Sequence, residues 1–557
     1  MQKTLLIVGL ICLGLTASAD AQSRRSSNVE LPAQVQKINE LIKQTWDDYE
    51  MKPSKPASDG EWCRRVYLDI LGRIPSVKEL DAFTSSRSKS KKAQLVAKLL
   101  YDEDYTEEYA RNWTTLWSNI LIGRTGGTER NSLTSREGMQ KYLRDTFARN
   151  KPYDKMVHEL VSATGTTTPG SPKFNGATNF LAMKVNEEKA SLATAATSKT
   201  FLGLQVQCTQ CHNHPFNDWK QQKYWEMNAF FRQTRALRQF APNTRNVNGA
   251  ELVDQDFAGE DNVPQEARVF YELRNGELKM ALPKFVDGTE IGASGYVEDI
   301  NRRAELAKMI VKSPYMDKTI VNRMWSHFFG YGFTKPIDDL GPHNQPSHPD
   351  LMDYLAVEIK KNSYNLKELI TWIALSDAYS LSSVANSSNK EDDPQLGESP
   401  KFTHFYLRQM RAEELYESLM VATQAAETRG NYEAQERAKS QWMQQFVSQF
   451  GTDEGDETTS FNGTIPQVLM MFNGSMVKQA IDTKNGGLLS KVVSSKLNEK
   501  KKLEYLYKAA FGRMPTRQEA NTLLDRNVLA AYKGNQMELF TDIWWSMLNS
   551  NEFIFNH

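Results

Sequence analysis

The residues best suited to chemistry lie in one short stretch, Cys208-Thr-Gln-Cys211-His212-Asn-His214. A Cys-x-x-Cys-His run is the attachment signature of c-type haem. Two thiols one turn apart can bond the two vinyl groups on one edge of the porphyrin. The adjacent imidazole then ligates the iron from below. Cys208 and Cys211 are therefore the expected attachment points, and His212 the expected axial ligand. The same side chains suit other chemistry. Thiolate and imidazole donors also bind zinc or iron, with His214 as a further ligand. The two cysteines alone would make a redox dithiol or a structural disulfide. His214 lies two residues from His212 and cannot reach the opposite face of the same ring. Met183, Met227 and His327 are candidate sixth ligands, although Met and His at helical spacing are usually core residues. The aromatic run from 219 to 231, with Tyr224, Trp225, Phe230 and Phe231, reads either as a cofactor wall or as an amphipathic core helix.

A second polar cluster follows downstream. Asn322-Arg323-Met-Trp325-Ser-His327 leads into Asp338-Asp339, His343, Ser347, His348, Pro349 and Asp350. Two carboxylates and two imidazoles so close in sequence could hold a metal or exchange protons. Asp339, His343 and His348 are thus the candidates for a metal-dependent hydrolase. The competing reading is structural. Pro349 and Asp350 are what a helix start requires, with Pro early and an acid near the positive dipole end. Trp325 and His327 read as packing residues. No nucleophile elbow, phosphate loop or zinc-protease motif occurs.

These residues need elements to hold them, and the elements read as mainly α. Val35, Ile38, Leu41, Ile42 and Trp46 recur at helical spacing. Leu95 to Leu100, Tyr109 to Ile120 and Met139 to Phe147 do the same. Between about 232 and 298 the pattern changes: Phe270 to Leu273, Asn275-Gly276, then Leu278 to Leu282 spell a hairpin. Helices resume at Asn301. The stretches 382–401 and 451–463 read as loops. Tyr67-x4-Gly72-Arg73-x-Pro75-x3-Glu79 recurs at the same offsets as Tyr507-x4-Gly512-Arg513-x-Pro515-x3-Glu519. Each copy predicts a helix ended by Gly, then a new helix opened by a capping box (Ser76 with Glu79, Thr516 with Glu519). A looser echo links Leu99–Trp113 with Met309–Trp325. The expected architecture is two helical halves related by duplication, with a small β insertion between them. The division is a signal peptide at 1–21, a helical domain carrying the motif at 22–231, a β-rich insertion at 232–298 and a helical C-terminal domain at 299–557.

The first twenty residues carry a basic Lys3, an apolar run from Leu5 to Leu15 and small-x-small sites at Ala17 to Ala21. That is signal-peptide anatomy, so the protein is expected outside the cytoplasm, in the periplasm or an equivalent space. No later stretch is long and apolar enough to span a membrane. Lys plus Arg equal Asp plus Glu, 68 against 68, which leaves no basic field for nucleic acid. After cleavage only Cys63, Cys208 and Cys211 remain, too few for a disulfide scaffold.

The chain resembles exported proteins common in planctomycetes that pair a cytochrome-like N-terminal domain with a C-terminal domain, both of unknown function. The N-terminal resemblance rests on Arg64-Arg65-Val-Tyr-Leu-Asp69-Ile-Leu-Gly72-Arg-Ile-Pro75, on Asn150-Lys-Pro152-Tyr153-Asp154, and on Phe201-Leu-Gly203 through His214-Pro215-Phe216 to Phe231. The C-terminal resemblance rests on Asn322-Arg323-Met-Trp325, Gly341 to Pro349, Leu375 to Tyr379, Arg411-Ala-Glu413-Glu414-Leu415, Pro466 to Asn473, Gly512 to Pro515 and Leu548 to Phe553. The resemblance implies a cytochrome-like role. Many members carry a separate cytochrome module, whereas this sequence has no second Cys-x-x-Cys-His. The acid that is typical after the motif His is Asn213 here. Together these readings imply a single-haem protein for electron transfer or an oxidative step, working with a redox partner protein. The rival is a non-redox surface binding or assembly protein whose Cys/His cluster holds a structural metal or disulfide.

Overall fold

A computed structural model describes residues 31–215, 217, 219–424, 434–436, 439 and 487–557. The signal-peptide stretch and the 451–463 loop lie outside these residues. The fold is mainly α with small β elements, as the periodicities require. Helices α1 (Ala33–Asp48), α4 (Lys91–Tyr101), α5 (Glu103–Ile122) and α6 (Arg136–Ala148) stand where the apolar spacing places them. Among the described residues no helix is long and apolar enough to cross a membrane.

Both repeated corners form. Helix α2 (Asp59–Leu71) ends at Gly72 (φ 72°), and α3 (Val77–Thr84) opens on Ser76 with Glu79 in a full capping box. The helix Glu499–Phe511 ends at Gly512 (φ 73°), and Arg517–Leu523 opens on Thr516 with Glu519 in the same way. The positive φ explains both glycines, since a Cβ there is strained. The side chains repeat too. Arg73 grips Glu79 with two bonds of 2.9 and 3.0 Å and lies 5.2 Å from the Tyr67 ring. Arg513 grips Glu519 at 2.9 and 2.8 Å and lies 5.3 Å from Tyr507. The looser echo is also structural. Asp102 ends α4 and opens α5, and Ser313 ends Arg302–Lys312 and opens Pro314–Phe329; both residues adopt φ −75°, ψ 133°.

One hydrophobic core runs from Val35 to Tyr406, so helices from both ends of that span share it. A second core joins Leu68, Ile74 and Val77 to residues from Met410 to Phe553. Helix α2 contributes to both and buries 11 of its 13 residues. A helix buried on all sides cannot leave its charges to water, so each must be satisfied inside. Arg64 donates to Ala510 O and Phe553 O, both at 2.7 Å. Arg65 donates to Leu381 O at 2.9 Å and lies 3.6 Å from the centre of the Phe405 ring. Asp69 accepts from Arg408, from the Tyr379 hydroxyl and, at 2.9 Å, from the Asn556 amide.

The β elements lie mostly between the two helical stretches. β1 (Gly165–Thr166), β2 (Thr234–Phe240) and β3 (Val247–Asp254) make an antiparallel sheet in the order β1-β3-β2. β4 (Val269–Glu272) and β5 (Leu278–Ala281) form the expected hairpin, with Glu272 opposite Leu278 and Gly276 at φ 82° in the turn. β6 (Arg408–Gln409) pairs with β7 (Phe555–Asn556).

Candidate functional site

The Cys-x-x-Cys-His loop is prepared by a tight reversal. The helix Ser191–Thr197 widens through Ser198–Leu202 and stops at Gly203, which adopts φ 63°, ψ 37°. A single turn of tight helix, Gln207–Gln210, follows. Its buried Thr209 bonds Val206 O at 2.5 Å, which turns Cys208 and Cys211 outward; both are exposed free thiols. The helix Gln221–Asn228 backs the loop. Trp225 Nε1 and Gln221 Nε2 both donate to Gln210 O at 3.1 Å. The Gln221 N–H donates to Asn213 Oδ1 at 3.0 Å, and the His214 N–H to Trp219 O at 2.8 Å. These bonds fix the backbone while the thiols and imidazoles stay accessible.

His212 has a defined orientation. Its Nδ1 lies 2.6 Å from Asn213 O. A carbonyl can only accept, so Nδ1 is the donor in this contact, and Nε2 is the nitrogen left to face a ligand. A carbonyl partner on the second ring nitrogen is the usual support of a metal-ligating His. The donor set, two outward thiols on one turn and an imidazole presenting Nε2, fits covalent haem attachment. Among the described residues no three of His, Cys, Asp and Glu are gathered closely enough to hold a bare metal ion.

The aromatic run behind the motif belongs to the core. Tyr224, Met227, Phe230 and Phe231 are buried, and Trp225 stacks on Tyr271 with ring centres 5.8 Å apart. The candidate sixth ligands are committed elsewhere. Met183 Sδ accepts from the Leu133 N–H at 3.3 Å. His327 packs 5.0 Å from the Trp113 ring, and its Nε2 lies 2.9 Å from Asp69 O. Burial and the neighbouring Arg411 and Arg408 push its pKa down to about 3. Trp325 is fully buried and stacks on Phe329 at 4.5 Å.

The structure brings the two polar clusters together, over more than a hundred residues of chain. The Leu340 N–H donates to Gly203 O at 2.7 Å. Asp338, nearly buried, pairs with Lys199 at 3.2 Å and accepts from Gln205 Nε2 at 2.7 Å. The His214 and His343 rings lie 6.0 Å apart, and His343 Nε2 is 3.0 Å from Asp339 Oδ2. His348 does not join them. It stands at the N-cap position of the helix Pro349–Lys361, where the Pro349-Asp350 signal places a helix start, and its ring packs against Phe333 and Phe402 at 6.0 and 5.2 Å. Burial lowers its pKa to about 4.

Gly203 is the pivot of this junction. A Cβ there would stand 2.7 Å from Thr319 Oγ1 and 3.0 Å from the Leu340 side chain, at a φ that side chains resist. Gly203→Ala is expected to destabilise the fold by about 1–3 kcal/mol in urea unfolding. An unchanged midpoint would show that the two loops tolerate separation.

Sequence reasoning singled out both clusters but not their meeting. It also missed the buried ionic network of Arg65, Asp69, Arg408 and Glu414. The available signal was Arg64, Arg65 and Asp69, three of the five charges on α2, set among apolar residues beyond its acidic first turn.

Comparison with known families gives two matches. The model named PSCyt2, described as a protein of unknown function (DUF1549), matches residues 37–236. The model named PSD1, described as a protein of unknown function (DUF1553), matches residues 302–526. No curated protein and no solved structure matches the chain.

Proposed function

We propose that this chain, which belongs to the proteins pairing a DUF1549 domain with a DUF1553 domain, is an exported redox protein carrying one covalent c-type haem. Cys208 and Cys211 are the thioether positions and His212 Nε2 is the axial ligand. The observation that carries this reading is the orientation of His212. Its Nδ1 is occupied by Asn213 O at 2.6 Å, beside two exposed free thiols. When bound, the haem supplies one-electron transfer. The chain's own residues do the positioning. Gln221 and Trp225 hold the loop through Gln210 O, so the axial imidazole does not drift. The exposure of both thiols sets the attached edge at the protein surface, where a redox partner protein can approach. Export through the N-terminal segment supplies the compartment in which such attachment occurs.

The test is production of the exported chain in a host with cytochrome c maturation machinery, followed by an alkaline pyridine haemochrome spectrum. A covalent c-type spectrum from the native chain, absent in the Cys208→Ala/Cys211→Ala variant, is expected. A colourless, folded native chain from that host would refute the haem reading.

A further inference from the structure

We propose that this chain forms a two-fold homodimer by pairing the open edge of β5 with the same edge of a second copy. The register of the hairpin fixes where each main-chain group points. The Leu273 N–H bonds Glu277 O at 2.9 Å, so residues 273, 271 and 269 face into the ladder, and 272 and 270 face away from it. On β4 these outward groups are covered. Glu272 O accepts from Gln221 Nε2 at 3.0 Å, and the Phe270 N–H donates to Glu260 Oε2 at 3.0 Å. The outer edge of β2 is covered too, since the Asn186 amide bonds both main-chain groups of Ala236, at 2.7 and 3.0 Å. On β5 the outward residues are Leu278 and Met280, opposite Glu272 and Phe270. Their side chains are 64% and 51% exposed, and among the described residues nothing bonds their main-chain groups. An apolar strand edge left open in this way is a template for another chain.

The charges on this edge select a second copy as the occupant and set its register. Antiparallel pairing about a two-fold axis at Leu278 puts Glu277 directly opposite Lys279 of the second copy, twice. A lysine on an edge strand discourages pairing, but within one chain Lys279 already forms an ion pair with Glu277. Around the axis the four charges therefore alternate in sign. Moving the axis by one residue, to Lys279, would set two lysines face to face, which is repulsive. At the axis Leu278 faces its own copy and exchanges two N–H to C=O bonds with it. The strand is four residues long, so the contact is small and the dimer weak and reversible. A closed two-fold uses the edge once per chain, so growth stops at the dimer. Gln221 also donates to Gln210 O at 3.1 Å, which ties the hairpin to the Cys-x-x-Cys-His loop and brings two such loops into one particle. The pairing does not depend on the haem reading.

The test is sedimentation equilibrium of the full exported chain over a range of concentrations. A reversible monomer–dimer equilibrium is expected. Leu278→Pro should abolish it, because proline removes an outward N–H that the hairpin itself does not use and is tolerated at the first residue of an edge strand. Lys279→Glu should weaken the dimer about tenfold, since two attractive pairs become repulsive. The swap Glu277→Lys/Lys279→Glu should restore it. Monomer at every concentration, the result expected if the edge serves a different protein, would overturn the proposal. So would a dimer unchanged in either single variant, no recovery in the swapped variant, or assemblies that grow past the dimer. A preparation without haem leaves this readout intact, so the two proposals fail separately.

Discussion

Arg408→Ala will destabilise the protein by about 3–5 kcal/mol, the cost of leaving a buried carboxylate without its counter-charge. Arg408 bonds Asp69, which is fully buried, and lies 3.5 Å from Glu414, which is 1% exposed. Removing the guanidinium leaves Asp69 with hydrogen bonds from Tyr379 and Asn556 and only the weaker pull of Arg65, which bonds carbonyl oxygens and not the carboxylate. Glu414 suffers less, because Arg411 still holds it at 2.8 Å. Burial already pushes Asp69 up to about 6 despite Arg408. Without Arg408 its carboxyl will take a proton at still higher pH. The double variant Asp69→Asn/Arg408→Met removes both charges and should cost less than Arg408→Met alone, a coupling that a double-mutant cycle reads directly. Urea unfolding checks both. A loss below 1 kcal/mol for Arg408→Ala would mean the network is not what joins α2 to the strand pair β6–β7.

The second large effect is acid lability. His327, His348 and His557 are held neutral mainly by burial, with pKa values lowered to about 3, 4 and 4. In the unfolded chain each titrates near 6.5. Below that pH the unfolded state binds protons the native state refuses, so stability falls as pH falls. The loss begins near pH 6.5 and runs to the lowered values. Asp69 acts in the opposite sense. With a native pKa of about 6 it takes up a proton before the unfolded chain does, which adds stability between pH 6 and its ordinary carboxylate range. Three histidines outweigh one aspartate. The net loss by pH 4 is on the order of 5 kcal/mol. Thermal unfolding between pH 7.5 and 4 checks this, and His327→Phe should flatten the slope. A midpoint that holds steady down to pH 4.5 would contradict the account.

Local structure was legible wherever local chemistry decides it. The apolar spacing of Val35 to Trp46 gives α1. Asn275-Gly276 gives the β4–β5 turn because the turn needs a positive φ, which Gly276 supplies. The Gly72 and Gly512 corners follow from a left-handed cap and a Ser or Thr three residues before Glu. Pro349 marks a helix start because its missing N–H is not needed there. What could not be read is pairing across the chain. Nothing in the spacing of Asp338 to His343 says that it docks on Gly203 and Gln205, since that depends on how the helices between them pack. His327 shows the same limit in reverse. Its residue type allowed a ligand or a packing residue, and only Trp113 and the Asp69 carbonyl, from distant helices, decide for the core.

Intact mass of the denatured, exported chain reads the proposed covalent haem on Cys208 and Cys211 without any assay of function. The expected mass is higher by one haem for the native sequence, with no increase for Cys208→Ala/Cys211→Ala. The mass of the bare polypeptide, from folded protein made in a host that matures cytochromes c, would contradict it.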